Sequence, residues 1–220
     1  MPCLNEEGSV GVCVREVLKT FKKEKLAGEA IVADNSSTDN STQVAARAGA
    51  KVVIVKKRGY GAAYLGGIAA SKGDYLILGD SDLSYDFRQI PKFIKKLEAG
   101  SDFVIGSRLK GQIKPGAMPF LHRFLGVPLL TFLVNLFFGT KISDAHGGLR
   151  AIKSQAFKKL RLKSAGFEFA SEMIIAAARN KLKISEVPIN YYKRVGKSKL
   201  NPITDTARHL KVIFASFSNL

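Results

Sequence analysis

Short apolar runs alternate with helical stretches along the first hundred residues, and two of the runs end at an aspartate. Glu29 to Ala33 reads as a strand ending in Asp34, and Thr38 to Ala48 as a helix with caps on offer at Ser37 or Thr38. Lys51 to Val55 is β-branched and reads as a strand; Gly61 to Ser71 is Ala-rich and helical. Tyr75 to Leu78 is a strand that runs into Asp80, Phe87 to Leu97 an amphipathic helix, and Phe103 to Ile105 a further strand. A β-α-β-α-β order calls for a mostly parallel, Rossmann-like sheet flanked by helices, and ligands of such sheets bind beyond the carboxyl ends of the strands. Asp34 and Asp80 stand at two such ends.

The second half is less regular. An apolar helix over Ala117 to Phe138 precedes a polar loop, Ser143 to Gly148. A helix over Glu168 to Asn180 leads to a strand near Ile184 to Val187, then to a basic segment, Tyr191 to Lys199. The 220 residues suffice for a single α/β domain. The opening Met1-Pro2-Cys3-Leu4-Asn5-Glu6-Glu7 has no strand before it, so the first strand of the sheet is expected to be missing. His209 to Phe217 turns apolar again and stops, so an incomplete chain is expected at this end too.

Thirty-five Lys and Arg against 18 Asp and Glu give a net charge of +17, which implies an anionic partner. Cys3 and Cys13 form neither a metal-like spacing nor a disulfide framework, so a reducing compartment is expected. No stretch reaches the roughly 18 to 20 apolar residues that span a bilayer. The nearest, Phe124 to Phe138, is broken by Pro128 and Asn135. Arg108, Lys110, Lys114, Arg123 and Lys141 flank it, with no acid from Phe103 to Ser143. That pattern suits an amphipathic helix lying among anionic lipid headgroups; a buried core helix is the alternative.

The strongest chemical signal is Asp80-Ser81-Asp82. Two carboxylates at i and i+2 beyond a strand can hold a hard divalent cation, Mg2+ or Mn2+, that also takes oxygens from a substrate diphosphate. Asp34, in Asp34-Asn35-Ser36-Ser37-Thr38-Asp39, can accept from a base N–H or a ribose hydroxyl.

Taken in order, Pro2-x-Leu4-Asn5-Glu6-Glu7, Asp34-Asn35-x-Ser37-x-Asp39 and Asp80-x-Asp82 resemble the family 2 glycosyltransferases. With Gly106-Ser107-Arg108, the stretch from Ser143 to Arg150 and the run from Tyr192 to Leu200, the chain resembles their dolichyl-phosphate mannose and glucose synthase branch. The resemblance implies a GT-A fold and an inverting transfer of a hexose from a nucleotide-diphosphate sugar, of the UDP-glucose or GDP-mannose type, to a polyprenyl or dolichyl phosphate. It places the protein at the cytoplasmic face of a membrane, either peripheral or, as in many relatives of this type, anchored by a membrane segment after residue 220. By the same resemblance Pro2, Leu4, Glu6 and Asp34 line the nucleotide pocket, Asp80 and Asp82 face the metal and diphosphate, and Gly61 approaches the donor. Asp144 would lie near the acceptor phosphate or orient Arg150 or His146. Arg108, Arg150, Arg194, Ser198 and Lys199 would hold that phosphate, since the planar Arg fork matches phosphate oxygens two at a time.

Three other readings compete. A glycan or protein hydroxyl could be the acceptor. A sugar-phosphate nucleotidyltransferase would carry a Gly-rich basic loop where Asn5-Glu6-Glu7 stands. A nucleic-acid-binding domain has only the charge in its favour, with no RNA-recognition signature or zinc-finger spacing, and no nucleic acid is expected as a partner. Glu168 and Glu172 fall i, i+4 on one helix as a possible catalytic pair or an exposed face. His122 and His209 read as interfacial or core residues.

Overall fold

The computed structural model describes residues 1–218. Its first half is a three-stranded parallel sheet. Strand β1 (Pro2–Cys3) pairs with β2 (Ile31–Asp34), which pairs with β3 (Lys51–Ile54). The helices α1 (Val10–Lys23) and α2 (Ser41–Arg47) form the crossovers, and α3 (Tyr60–Ala69) leads from β3 to the second sheet. A second sheet has the order β4 (Tyr75–Leu78), β6 (Arg150–Lys153), β5 (Phe103–Ile113) and β7 (Ile184–Tyr191). β5 and β7 are parallel, whereas β6 runs antiparallel to both β4 and β5. The parallel expectation therefore holds for β1, β2 and β3 and for β5 with β7, and fails at β4 and β6, which pair antiparallel; β6 closes the polar loop rather than starting a crossover.

The expected absence of a first strand is corrected in part. Pro2 and Cys3 sit in parallel register with Ala33 and Asp34, and the Met1 ammonium donates to the Ile31 carbonyl at 2.9 Å. Between β2 and β4 lies a cavity of about 380 Å³, lined by Val17, Phe21, Ile31, Leu76, Ile77 and Ile90 among others.

Alternation along the strands sets the layers. Val104 faces α1 and α4 (Ile90–Glu98) with Val14, Phe93 and Leu97, while Phe103 and Ile105 face Met173 and Ile174 of α7 (Phe169–Arg179). These side chains are fully buried, each worth about 1.5–3 kcal/mol of transfer free energy. Cys3 and Cys13 are free thiols inside the first cluster, and burial pushes the Cys13 thiol up to about 12.

Helix boundaries move where side chains intervene. α2 starts at Ser41 rather than Thr38, because Asp39 accepts from the Ser41 amide and hydroxyl; Ser37 and Thr38 are drawn instead onto Asn5. The helix expected from Ala117 begins later, with one π-helical turn over His122–Gly126 followed by α5 (Val127–Phe138), which Gly139 ends at φ +65°. α6 (Ser154–Leu160) and α8 (Pro202–Phe217) complete the chain, α8 lying against α5 and α7. Among the described residues no helix is long and apolar enough to cross a membrane.

Candidate active site

The carboxyl ends of β1 and β2 lie side by side in parallel register, and the turn after β4 joins them through Ser81. Asp34 ends β2. Its Oδ2 accepts from the Ser37 amide, and its Oδ1 is buried without a partner. Asn35 ties β2 to β3 and α3, donating to the Val55 and Lys57 carbonyls and accepting from the Gly59 amide. The Asn5-Glu6-Glu7 turn is zipped against residues 37–41, with the Glu6 amide on Ser41 Oγ. The Pro2 carbonyl accepts from Ser81 Oγ at 2.7 Å, which couples β1 to the Asp80-Ser81-Asp82 turn. Leu4 is half-buried in the same loop.

Asp80 is held by two tyrosines. Tyr60 and Tyr64, one turn apart on α3, both donate to Asp80 Oδ1, at 2.8 and 3.1 Å. Their rings pack on Phe167 and Phe169. Burial, and then the charge of Asp82, push the Asp80 carboxyl up to about 6. Asp80 Oδ2 lies against Gly148, where a Cβ would come within 2.9 Å of it and of the Tyr85 hydroxyl. Tyr85 fixes this close approach by accepting from the Gly148 amide at 2.7 Å. Asp82 Oδ1 accepts from the Ser84 amide and hydroxyl, and its Oδ2 faces the Arg194 guanidinium at 3.4 Å. Oδ1 of each aspartate is thus oriented by hydroxyl donors, while Asp80 Oδ2 faces Gly148 and Asp82 Oδ2 faces Arg194.

The loop after α5 holds the second cluster. Asp144 is fully buried and bridges Arg108 in a bidentate pair at 2.8 and 2.9 Å. Burial opposes its ionisation, but the Arg108 charge outweighs it and holds the carboxyl at about 2. Of the two partners expected for Asp144, His146 contributes only its backbone amide, and Arg150 none. The Arg150 guanidinium is instead spent on the Gly147, Ala170 and Ala145 carbonyls. It builds the loop with three of its five N–H donors.

The remaining expected residues have partners within the chain. Arg194 and Lys199 reach Glu6, and Arg194 also Asp82, instead of joining Arg108. Ser198 is exposed and accepts from the Leu200 amide. The Gly61 amide donates to the Gly166 carbonyl, and a Cβ there would meet the Ser164 carbonyl at 2.3 Å, so Gly61 serves close packing of α3 against the 164–166 turn. Glu168 and Glu172 cap that turn through the Gly166, Lys163 and Ser164 amides and do not form a paired acid and base.

Sequence reasoning missed Tyr60 and Tyr64 as partners of Asp80; two tyrosines at i, i+4 in an Ala-rich helix were the available signal. It missed Glu186 on β7, which accepts from the Ser143 amide at 2.7 Å, its hydroxyl and the Asp144 amide while pairing with Lys110. It also missed Ser171, which joins His146 Nε2 to His209 Nδ1 at 3.1 and 2.8 Å. His209 is a core residue, and burial pushes it down to about 4.

The family model for glycosyl transferase family 2 matches residues 1–161. The chain belongs to that family. It is 42% identical over 217 residues to the low-salt glycan biosynthesis hexosyltransferase Agl6 of Haloferax volcanii, covering 98% of this chain and 52% of that protein. Glycosyltransferase AglJ of the same organism is 30% identical over 93% of this chain and 66% of its own. The family 2 domain described here therefore spans about half the length of Agl6. Glucosyl-3-phosphoglycerate synthase from Mycobacterium tuberculosis, solved with Mn2+, uridine diphosphate and glucosyl-3-phosphoglycerate, superposes with a TM-score of 0.76 at 20% identity, over 99% of this chain and 78% of that one. That likeness shows the GT-A fold for this family 2 domain.

Proposed function

We propose that the domain transfers a hexose from a nucleotide-diphosphate sugar to a polyprenyl phosphate at a membrane surface, with inversion. The observation that carries the donor half is the pair Asp80 and Asp82. Among the described residues no group of three acidic, His or Cys side chains could hold a metal ion. Two carboxylates beside a glycine cradle instead suit a divalent ion that draws its remaining ligands from a diphosphate. The Arg194 guanidinium already stands as a cation at Asp82 Oδ2, which fits the charge demand of the place. Asp80 and Asp82 would hold Mg2+ or Mn2+, which when bound neutralises charge on the departing diphosphate. Asp34 Oδ1, buried and unpartnered, is an acceptor for a base N–H or ribose hydroxyl. Pro2, Leu4 and Glu6 border that pocket.

For transfer, an acceptor phosphate oxygen attacks the anomeric carbon as its bond to the diphosphate oxygen breaks in line. A phosphate monoester is already anionic near neutral pH, so no side chain must remove a proton. Asp144 orients Arg108 toward that phosphate, and Glu186 holds the loop that carries Asp144.

The acceptor's lipid character rests on α5. Val127, Leu130 and Val134 pack inward, while Phe124, Leu125, Leu129, Phe132 and Leu136 are exposed, with Phe214 and Phe217 of α8 alongside. So large an apolar face on a chain of charge +17 fits a headgroup boundary. The test is a donor screen with radiolabelled nucleotide sugars, membrane extract and Mn2+, followed by solvent extraction. Label in the lipid phase as an acid-labile glycosyl phosphate is expected; label only in protein or glycan would overturn the acceptor.

A further inference from the structure

Residues 192–200 form a basic strap with no acid: Lys193, Arg194, Lys197 and Lys199 fall within nine positions. Two backbone bonds lay it over the Asp82 turn, from the Tyr192 amide to the Ser84 carbonyl at 3.0 Å and from the Val195 amide to the Asp82 carbonyl at 2.9 Å. Two ion pairs then fasten it to Glu6, whose side chain is buried: Arg194 at 3.3 Å, and Lys199. Arg194 spans Glu6 and Asp82, so one guanidinium sits where the carboxylates of two different loops meet. Its fit is incomplete, since Arg194 Nε is buried without an acceptor. A guanidinium that desolvates one N–H for nothing is a poorer partner for Asp82 than a ligand satisfying all its charge would be.

We propose that Arg194 is an exchangeable cation, holding Asp82 while the donor site is empty and moving onto the nucleotide's diphosphate when a divalent ion takes Asp82. The inference rests on the metal reading above. Its logic is charge balance in a partly dry site. With the site empty, Asp80 and Asp82 repel each other, and Arg194 offsets that repulsion. A divalent ion at Asp82 repels the guanidinium, which then needs an anion within reach. The diphosphate that completes the ion's ligand shell is that anion, and the Arg fork fits two of its oxygens. Glu6 remains with Lys199, so the strap keeps one tether while the other changes hands. Arg194 thereby belongs to donor binding, not to the acceptor phosphate, and it makes the ion and the nucleoside diphosphate bind cooperatively.

Opposite signs in two binding measurements test this. Mn2+ affinity is measured on the metal-free protein by titration calorimetry, with and without uridine diphosphate, for wild type, Arg194→Met and Lys199→Met; circular dichroism checks each fold. Arg194→Met is expected to bind Mn2+ alone about 5- to 10-fold more tightly, since a competitor is gone, and uridine diphosphate in the presence of Mn2+ about 10-fold or more weakly. Lys199→Met, whose pair is with Glu6 alone, should change Mn2+ affinity less than Arg194→Met does. Limited trypsin digestion of wild type gives an independent reading: Mn2+ alone should speed cleavage within 193–199, and uridine diphosphate added to it should slow cleavage again. Mn2+ bound by wild type with an affinity unchanged or weakened in Arg194→Met would overturn the exchange and leave the metal reading standing. Failure of every variant to bind Mn2+, with or without uridine diphosphate, would overturn both.

Discussion

Replacing Asp80 by Asn should stabilise the metal-free protein while removing its activity. Asp80 is raised from the usual 3.8 to about 6, first by burial and then by the Asp82 charge. A carboxyl whose folded pKa lies above its unfolded value binds protons more tightly when folded. Its ionised form therefore costs stability, and the cost grows as pH rises from about 4 through 6. A shift of roughly two units corresponds to about 3 kcal/mol above pH 7. Asp80 is partly exposed, so solvent screens some of that, and an expected gain of about 1–3 kcal/mol is reasonable. In a chain of this size each kcal/mol moves Tm by roughly 2–4 °C. The Asn carbonyl can still accept from Tyr60 and Tyr64, which keeps the two hydroxyls satisfied. Thermal unfolding in chelator at pH 8, 5 and 4 reads the effect: Asp80→Asn should be the more stable at pH 8, with the gap roughly halved at pH 5 and nearly closed at pH 4. Mn2+ should raise the Tm of wild type alone. A variant less stable than wild type at pH 8, or a gap independent of pH, would refute the assignment of strain to this carboxylate.

Asp82→Asn should abolish transfer and weaken Mn2+-dependent nucleotide binding with the fold retained, by several kcal/mol of the order of a metal contact, measured by calorimetry and labelled-donor turnover. Arg108→Ala leaves the buried Asp144 charge alone and should cost about 3–5 kcal/mol in urea unfolding at pH 7; because the Asp144 carboxyl is held at about 2, this pair's contribution is present above the ordinary carboxylate pKa near 4 and fades as pH falls toward 2. Gly148→Ala places a Cβ 2.9 Å from Asp80 Oδ2 and should weaken nucleotide binding at least 10-fold, and unchanged affinity would move the diphosphate elsewhere. On α5, Leu129 is exposed, whereas Leu133 and Phe137 are partly buried and pack against the core formed with α7. Serine at Leu125, Leu129, Phe132 and Leu136 should instead keep the circular dichroism spectrum and lose high-salt binding to anionic vesicles; vesicle sedimentation of a folded variant at the wild-type level would remove the membrane from the account.

The strands carrying Asp34 and Asp80 were legible because each is a short apolar run closed by a carboxylate; that they belong to two sheets, joined where Ser81 meets the Pro2 carbonyl, was not. The Asp-x-Asp turn was legible for the same reason. What stayed hidden depends on tertiary pairing. β6 reads as the tail of a polar loop, and the three carbonyl partners that bury Arg150 come from residues its spacing does not point to. Glu186 looks like an exposed strand residue, and only the return of the Ser143 loop turns it into an anchor. The basic residues of the last third could be recognised as a group by composition, but not sorted. Arg108 goes to Asp144, Arg150 to the backbone, Arg194 to Glu6 and Asp82. Sequence spacing carries no information on which buried carboxylate a distant guanidinium will find.

α5 resolves the choice between interfacial and core helix by being both, on different faces. Its inner face is more than apolar packing. Thr131 Oγ1 accepts from the Ala145 amide, and Asn135 accepts from the Ile142 amide and donates to the Ile142 carbonyl, so α5 holds both flanks of Asp144. Asn135, with Pro128, is what interrupted the apolar run in the sequence. α8 is tied to the same loop from the other side through His209, Ser171 and His146, and to α5 through Phe214 and Phe217 against Phe137. The surface proposed to meet a lipid tail and the loop proposed to meet its phosphate are therefore two sides of one packed unit. A rigid link of this kind fixes the height of Asp144 and Arg108 relative to the exposed apolar row. An acceptor whose phosphate sits at a constant depth above its tail needs that distance fixed, whereas a soluble hydroxyl acceptor does not. Thr131→Val tests the link, since it removes the Ala145 contact at nearly constant volume. It should raise the KM for a polyprenyl phosphate presented in vesicles several-fold more than for a short-chain, water-soluble analogue, with nucleotide affinity unchanged. Equal effects on the two acceptors would mean that α5 supports the loop without measuring depth.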